Sequence, residues 1–191
     1  MGKTKRPSTG AVLPDFLSLG PVSAASHVKF LHAQQITVII SIGKSPARKY
    51  ETLPGPKTDR PGTEQQEQEE EEVVTYHRLP LKDKEDADLS KCVQTACAIL
   101  DEASAAKKRV LVHCSAAISR SPAVVAGYLI SKRGYTLEQS LEVLKSARPA
   151  VSPNKGFLEQ LRKMEGEVRK ERRGVGEGQG PQGALLAPKE Q

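Results

Sequence analysis

The sequence predicts an α/β fold: a central mixed, mostly parallel sheet flanked by helices, with an anion-binding loop between a central strand and the next helix. Three observations lead there. Ile36 to Ile42 is a continuous, largely β-branched run, the pattern of a parallel strand buried on both faces. Short apolar runs alternate with helical patterns along the chain, as in an open sheet with crossover helices. The third is the junction at Arg109–Ser121, where Arg109-Val-Leu-Val-His-Cys114 reads as a buried strand. It runs through a loop of small residues into Ser-Pro-Ala-Val-Val-Ala, a helix entry with proline in its first turn.

Taken in order, residues 1–10 read as a polar tail. Ala11–Leu13 and Phe16–Leu19 read as short strands around Pro14-Asp15, the second closed by Gly20. A helix is expected from Ser23 to Gln34, with Ala24, Val28 and Leu31 on one face, before the buried strand 36–42. Residues 45–72 are rich in Pro, Gly, Gln and Glu and read as a solvated excursion. Val73–Leu81 is the next strand, in which His77 reads as structural. Lys82–Leu89 is an exposed acidic loop. A helix from about Asp88 to Lys107 follows, with Val93, Ala96, Cys97 and Leu100 on its inner face. Cys97 therefore reads as core, and Cys92 has no recognisable partner. The helix after the loop should run to Lys132 and stop at Arg133-Gly134. Thr136-Leu-Glu-Gln139 is a capping box opening a helix to about Ala147, which Arg148-Pro149 ends. Pro153-Asn154 opens the last helix. The expected organisation is a tail at 1–10, one domain at 11–168 with the acidic insert at 45–72, and a tail at 169–191, basic and then Gly/Gln-rich.

Composition narrows the class. The 191 residues carry a net charge of +6, are 37% hydrophobic and contain no tryptophan, so the core is aliphatic. No apolar run is long enough to span a membrane, and the basic N-terminus lacks an apolar signal region. Three cysteines, an odd number, argue for a reducing compartment, hence an intracellular location, cytoplasmic or nuclear. No spacing suggests a metal site. Residues 61–72 hold six glutamates and no basic residue, so the rest of the chain is more basic than the overall charge states. This segment could meet a partner. The basic clusters at Lys3, Lys5, Arg6 and around Arg169–Arg173 would suit nucleic acid or anionic lipid, although solvated tails are the commoner use of such runs.

The chemistry lies in the junction. Loop N–H groups and a helix dipole both point at whatever the loop holds. A cysteine at its start is an activated nucleophile, because the same N–H groups stabilise its thiolate. An arginine at its end can grip two oxygens of a tetrahedral anion. A nucleophile aimed into an oxyanion cradle points to phosphoryl transfer. The loop holds no proton donor for the leaving oxygen, so a carboxylic acid must come from elsewhere. Asp83, Asp86 and Asp88 share one exposed loop upstream, and the latter two also suit the start of the following helix.

His113-Cys114-x-x-x-x-x-Arg120-Ser121 resembles the signature loop of the cysteine-dependent protein phosphatases, and its filling, Ser-Ala-Ala-Ile-Ser, most resembles the dual-specificity branch. Leu13–Gly20 resembles the opening of that branch, and Arg148, Pro149, Pro153, Asn154, Gly156, Phe157, Leu158, Gln160 and Leu161 match a pattern near its end, so the resemblance covers residues 11–162. It implies a protein-tyrosine-phosphatase-like fold of the small atypical type without a kinase-docking domain. Phosphotyrosine and phosphoserine/threonine would be hydrolysed through a phosphocysteine on Cys114, with no metal and no cofactor. Arg120 and the loop Ser115, Ala116, Ala117, Ile118 and Ser119 would bind the phosphate. Asp83, in Leu81-Lys82-Asp83, matches the family's general acid, with Asp86 next. His113 would orient the loop and support the thiolate rather than act as base, Ser121 would hydrogen-bond the sulfur and help it leave, and Asn154 would brace the loop. Ala117 stands where the family usually has glycine, which is tolerable at negative φ and costly at positive φ. Two alternatives stay open: a phosphate-binding pseudophosphatase weakened by Ala117, and a phosphatase acting on a non-protein phosphate such as an RNA 5′ end. The loop has no lysine, unlike that of the phosphoinositide branch. The chain also lacks the acid-loop tryptophan of the tyrosine-specific branch.

Overall fold

The computed structural model describes residues 9–43 and 74–175; the acidic insert and both sequence ends fall outside them. Five strands form one sheet in the order β1-β2-β5-β3-β4, from β1 (Gly10–Leu13), β2 (Leu17–Pro21), β3 (Ile36–Ile42), β4 (Thr75–Leu79) and β5 (Arg109–Cys114). The pair β1–β2 is antiparallel and every other pairing is parallel, so the sheet is mixed and mostly parallel, as the sequence predicts.

The strand patterns explain the layering. β3 is buried at every position. Along β5, Val110, Val112 and Cys114 face one core and Leu111 faces the other, the period-2 alternation of a strand covered on both sides. The larger core packs against α3 (Ser90–Ala105), α4 (Arg120–Arg133), α5 (Leu137–Ala147) and α6 (Lys155–Val175), and the smaller against α1 (Val22–Ala25) and α2 (Val28–Ala33). Every residue of α4 from Ser121 to Ile130 is buried, which makes α4 the central helix of its layer. Burying each large apolar side chain contributes about 1.5–3 kcal/mol, so the strand and helix that carry the loop are its most firmly held parts.

Several elements differ from the sequence reading. The helix expected over 23–34 is two short helices. Ser26 Oγ donates back to the Val22 carbonyl, and His27 Nδ1 accepts from Phe30 N–H, so the chain stops and restarts at Ser26-His27. The break rotates Val28 off the inner face, where it is 37% exposed. β2 does not close at Gly20 but runs to Pro21, because Gly20 and Pro21 pair with His113 and Cys114. The domain boundary placed at 168 cuts a continuous helix: α6 extends to Val175, and Met164 and Val168 pack on the core. The capping box appears as expected, with Thr136 and Gln139 exchanging two hydrogen bonds, and Gly134 ends α4 in the left-handed conformation.

Parallel pairing puts the carboxyl ends of β2, β3, β4 and β5 on one edge of the sheet, where open α/β sheets bind ligands. Val22, Gly43, the loop after Leu79 and the loop after Cys114 therefore converge.

Candidate active site

Cys114 is the last residue of β5 and is buried, at 4% exposure. The next residues, Ser115–Ser119, wrap into the N-terminus of α4. Their carbonyls are held from outside the loop. Val22 N–H donates to Ser115 O (3.2 Å), Ser152 N–H to Ile118 O (2.8 Å) and Ala123 N–H to Ser119 O (2.9 Å). Arg148 Nη2 donates to Ala116 O at 3.1 Å. In a trans peptide the N–H points opposite to the preceding C=O. With those carbonyls turned outward, the N–H groups of Ala116, Ala117, Ser119 and Arg120 turn inward. That is an anion nest at a helix N-terminus.

Cys114 and Arg120 sit at opposite ends of this nest. Ser121 Oγ donates to Cys114 Sγ at 3.2 Å. Arg120 Nη2 donates to Ser115 Oγ at 2.9 Å, which folds the guanidinium back over the loop. Gly43, at φ +99°, lies directly against Arg120 Nη1, and a Cβ there would collide with it. Only glycine fits both the backbone angle and the close approach. Arg120 Nε is buried without a hydrogen bond, and Asp83 Oδ2 lies 3.5 Å from it, an ion-pair contact lacking hydrogen-bond geometry. A buried guanidinium N–H without a partner is a donor ready for an oxyanion.

Of the three loop aspartates, the structure brings Asp83 to the nest. Its Oδ1 accepts from Ser119 Oγ (2.7 Å) and Asn154 Nδ2 (3.0 Å). Asp88 serves the start of α3: its Oδ1 accepts from Ser90 N and Oγ, which holds its pKa below the usual carboxylate value. Asp86 is exposed. Asn154 does more than brace the loop. Its backbone N–H donates to Ser119 Oγ, its Oδ1 caps Phe157 N–H, and its amide holds Asp83. Ile118 is 41% exposed at the mouth.

His113 is almost fully buried. Its Nδ1 is 3.4 Å from the Cys114 carbonyl and its Nε2 is 3.0 Å from Tyr76 Oη. A carbonyl can only accept, so Nδ1 carries the proton and Nε2 accepts from the tyrosine. Burial pushes the His113 pKa down to about 4 from 6.5, against a smaller upward pull from the Cys114 backbone. Between these values the unfolded chain binds a proton that the native state refuses. This group's contribution to stability is thus fully present above pH 6.5 and is lost as pH falls towards 4. Chemical unfolding at pH 5 should show about 2 kcal/mol less stability from this site than at pH 7.5. A His113→Gln variant should lose that part of the pH slope, and an unchanged slope would place the effect elsewhere.

Ala117 takes the costly branch of the sequence expectation, with φ +54° and no exposed surface. The left-handed conformation costs alanine roughly 1–2 kcal/mol, and its buried methyl recovers about 0.8 kcal/mol. The backbone nevertheless has the shape that glycine would supply, so the substitution leaves the nest intact. Ala117→Gly should therefore change unfolding stability by under about 1 kcal/mol and turnover by less than about fivefold. A much larger gain in activity would mean that alanine had disabled the loop.

Sequence reasoning missed the loop contacts of Arg148, Tyr76 and Gly43. Arg148 read only as part of a helix stop and a pattern match, and Tyr76 and Gly43 carry no local signal.

Residues 17–167 match the family model for "Dual specificity phosphatase, catalytic domain". The Arabidopsis thaliana protein "Dual specificity protein phosphatase 1" is 34% identical over 149 residues, covering 78% of this chain and 65% of that one. Human "Dual specificity protein phosphatase 5" is 31% identical over 157 residues, covering 82% of this chain and 35% of that one. The chain thus spans less than two thirds of the length of these relatives. A crystal structure of a mouse dual specificity phosphatase complexed with zinc tungstate superimposes with a TM-score of 0.69 at 29% identity, covering 90% of this chain and 94% of that one.

Proposed function

Because the chain belongs to the dual specificity phosphatase family through its catalytic domain, we propose that it hydrolyses phosphotyrosine and phosphoserine/phosphothreonine in proteins through a phosphocysteine intermediate. The observation that carries this reading is Cys114 at the end of β5, its Sγ bonded by Ser121 Oγ, leading directly into a nest whose carbonyls are held outward.

The steps follow from the geometry. Phosphate oxygens bind the inward N–H groups and the Arg120 guanidinium, which carry the charge of the transferring group. Sγ forms a bond to phosphorus as the bond to the leaving oxygen breaks, and Asp83 delivers a proton to that oxygen. Oδ1 is occupied by Ser119 and Asn154, so Oδ2 is the oxygen that carries the proton. In the second half, Asp83 accepts a proton from water as its oxygen attacks phosphorus and the S–P bond breaks. The Ser121 hydroxyl stabilises the departing thiolate. His113 holds the Cys114 carbonyl and stays neutral. Ser115 seats Arg120, and Ser119 with Asn154 seats Asp83.

Phosphorylated protein is the proposed partner class, and no helix among the described residues is long and apolar enough to cross a membrane. The test compares phosphotyrosine and phosphothreonine peptides with a 5′-phosphorylated RNA across pH. Both peptides should be turned over. Faster hydrolysis of the RNA end would overturn the protein-substrate reading. On an unactivated aryl phosphate, Asp83→Asn should lose about 10²-fold in kcat and the decline of rate at alkaline pH. A retained decline would assign the acid elsewhere.

A further inference from the structure

The acid loop is fastened to α6 by more than the contact at Asp83. Gln160, half-buried on α6, uses both ends of its side-chain amide on the loop: Nε2 donates to Ala87 O (2.9 Å) and Oε1 accepts from Leu89 N–H (2.8 Å). These backbone groups flank Asp88, so the amide clips the loop as a neighbouring strand would. The Leu89 N–H also belongs to the start of α3, where a helix leaves its first donors without intrahelical partners. One turn earlier on α6, Gly156 lies against the Glu85 carbonyl, and a Cβ there would overlap it. Asn154, just before α6, holds Asp83 itself. Its own backbone N–H and that of Ser152 are bonded to Ser119 and Ile118 in the phosphate nest. The start of α6 is therefore the common frame against which acid loop and nest are registered.

We propose that Gln160 is a positioning residue for proton donation, holding the acid loop so that the Asp83 carboxyl stays at the edge of the nest. This rests on the reading of Asp83 as the general acid. The loop carries Asp83 on an exposed segment, with one turn hydrogen bond of its own at Ala87 N–H to Lys84 O. Without the Gln160 clip, the segment from Lys84 to Leu89 loses the two hydrogen bonds that tie its backbone to α6, and the carboxyl its fixed height over the nest. A displacement near 1 Å is enough to matter to a proton in flight, whereas binding of phosphate by the nest does not pass through this loop.

The signature is a dependence on the leaving group. Oxygens that leave well as anions need little protonation, while an unactivated phenol or an alcohol needs all of it. In the full chain, Gln160→Met should lower the ratio of kcat on phenyl phosphate to kcat on nitrophenyl phosphate by about tenfold. Gln160→Glu keeps the acceptor for Leu89 N–H and loses the donor to Ala87 O, so it should fall between. In an Asp83→Asn background, Gln160→Met should produce no further change in the ratio, because a residue acting through Asp83 has nothing left to position. Equal loss on both substrates, or the same added loss in the Asp83→Asn background, would overturn the proposal in favour of a simple stability role. If Asp83→Asn alone leaves the ratio unchanged, the acid assignment fails and the Gln160 role falls with it. If Asp83→Asn lowers the ratio and Gln160→Met does not, Gln160 alone is wrong. Should Gln160→Met fail to fold, Gly156→Ala, one turn earlier on the same face of α6, pushes the loop away at Glu85 and should lower the ratio in the same way; an unchanged ratio there would overturn the clamp.

Discussion

Cys114→Ser should lower hydrolysis of a small aryl phosphate by at least about 10⁴-fold. The substitution changes one atom at a buried position and keeps the Ser121 hydroxyl as a neighbour, so the fold should survive. What is lost is the chemistry. A serine hydroxyl is not ionised in this nest at neutral pH, and an alkoxide is a far poorer leaving group than a thiolate in the second step. Steady-state kinetics, with circular dichroism to verify folding, reads the result. Turnover above that floor would mean that sulfur is not the attacking atom. The other cysteines supply an internal control. Burial pushes the Cys92 thiol up to about 12 and the Cys97 thiol up to about 11, so both stay protonated at neutral pH. A small anionic alkylating agent at pH 7 should label Cys114, stop turnover in proportion, and leave the α3 pair unmodified by mass spectrometry.

Arg120→Lys should cost about 10³-fold in kcat/KM, although the charge is kept. The guanidinium sits on Ser115 Oγ, lies against Gly43, and keeps a buried, unbonded Nε 3.5 Å from Asp83 Oδ2. A lysine ammonium reaches similar space as a point charge and cannot offer two parallel N–H groups to two phosphate oxygens. Loss of a preorganised donor of this kind is worth 10²–10³ in rate, and the lost fork adds to it. Inorganic phosphate, as a competitive inhibitor, should bind at least about tenfold more weakly to the variant. Lysine at near wild-type rate would show that the loop N–H groups hold the phosphate alone.

How much of this was legible beforehand depends on the range of the interaction. The strand–loop–helix junction was legible because its signals are local: a β-branched run, small loop residues and a proline in the first helical turn. So were the buried strand 36–42, the Thr136–Gln139 capping box and the stop at Gly134. Cys114 and Arg120 lie within seven residues of one another, so the chemistry proposed for them could be read from spacing, whereas the role proposed for Ser121 came from the family resemblance. The helix break at Ser26-His27 was missed because the apolar period at Ala24, Val28 and Leu31 continues through it, and two side-chain-to-backbone bonds overrule that pattern. The expected domain boundary at 168 falls inside α6 because charge dominates the helix's sequence while Met164 and Val168 keep it on the core.

The sequence by itself determined the class of fold and marked Cys114 and the loop after it as the proposed nucleophile and anion site, because each is encoded in contiguous residues whose local preferences agree. Only the tertiary structure showed that Asp83, singled out by the family resemblance, is held beside the loop, that Ala117 has a left-handed backbone, and that Tyr76, Gly43 and Arg148 contact His113, Arg120 and Ala116 while Gln160 contacts the loop behind Asp83. Those assignments depend on where parallel strands end and how closely α6 packs on the loops between them. Such distances are set by long-range packing, to which no run of neighbouring residues gives access.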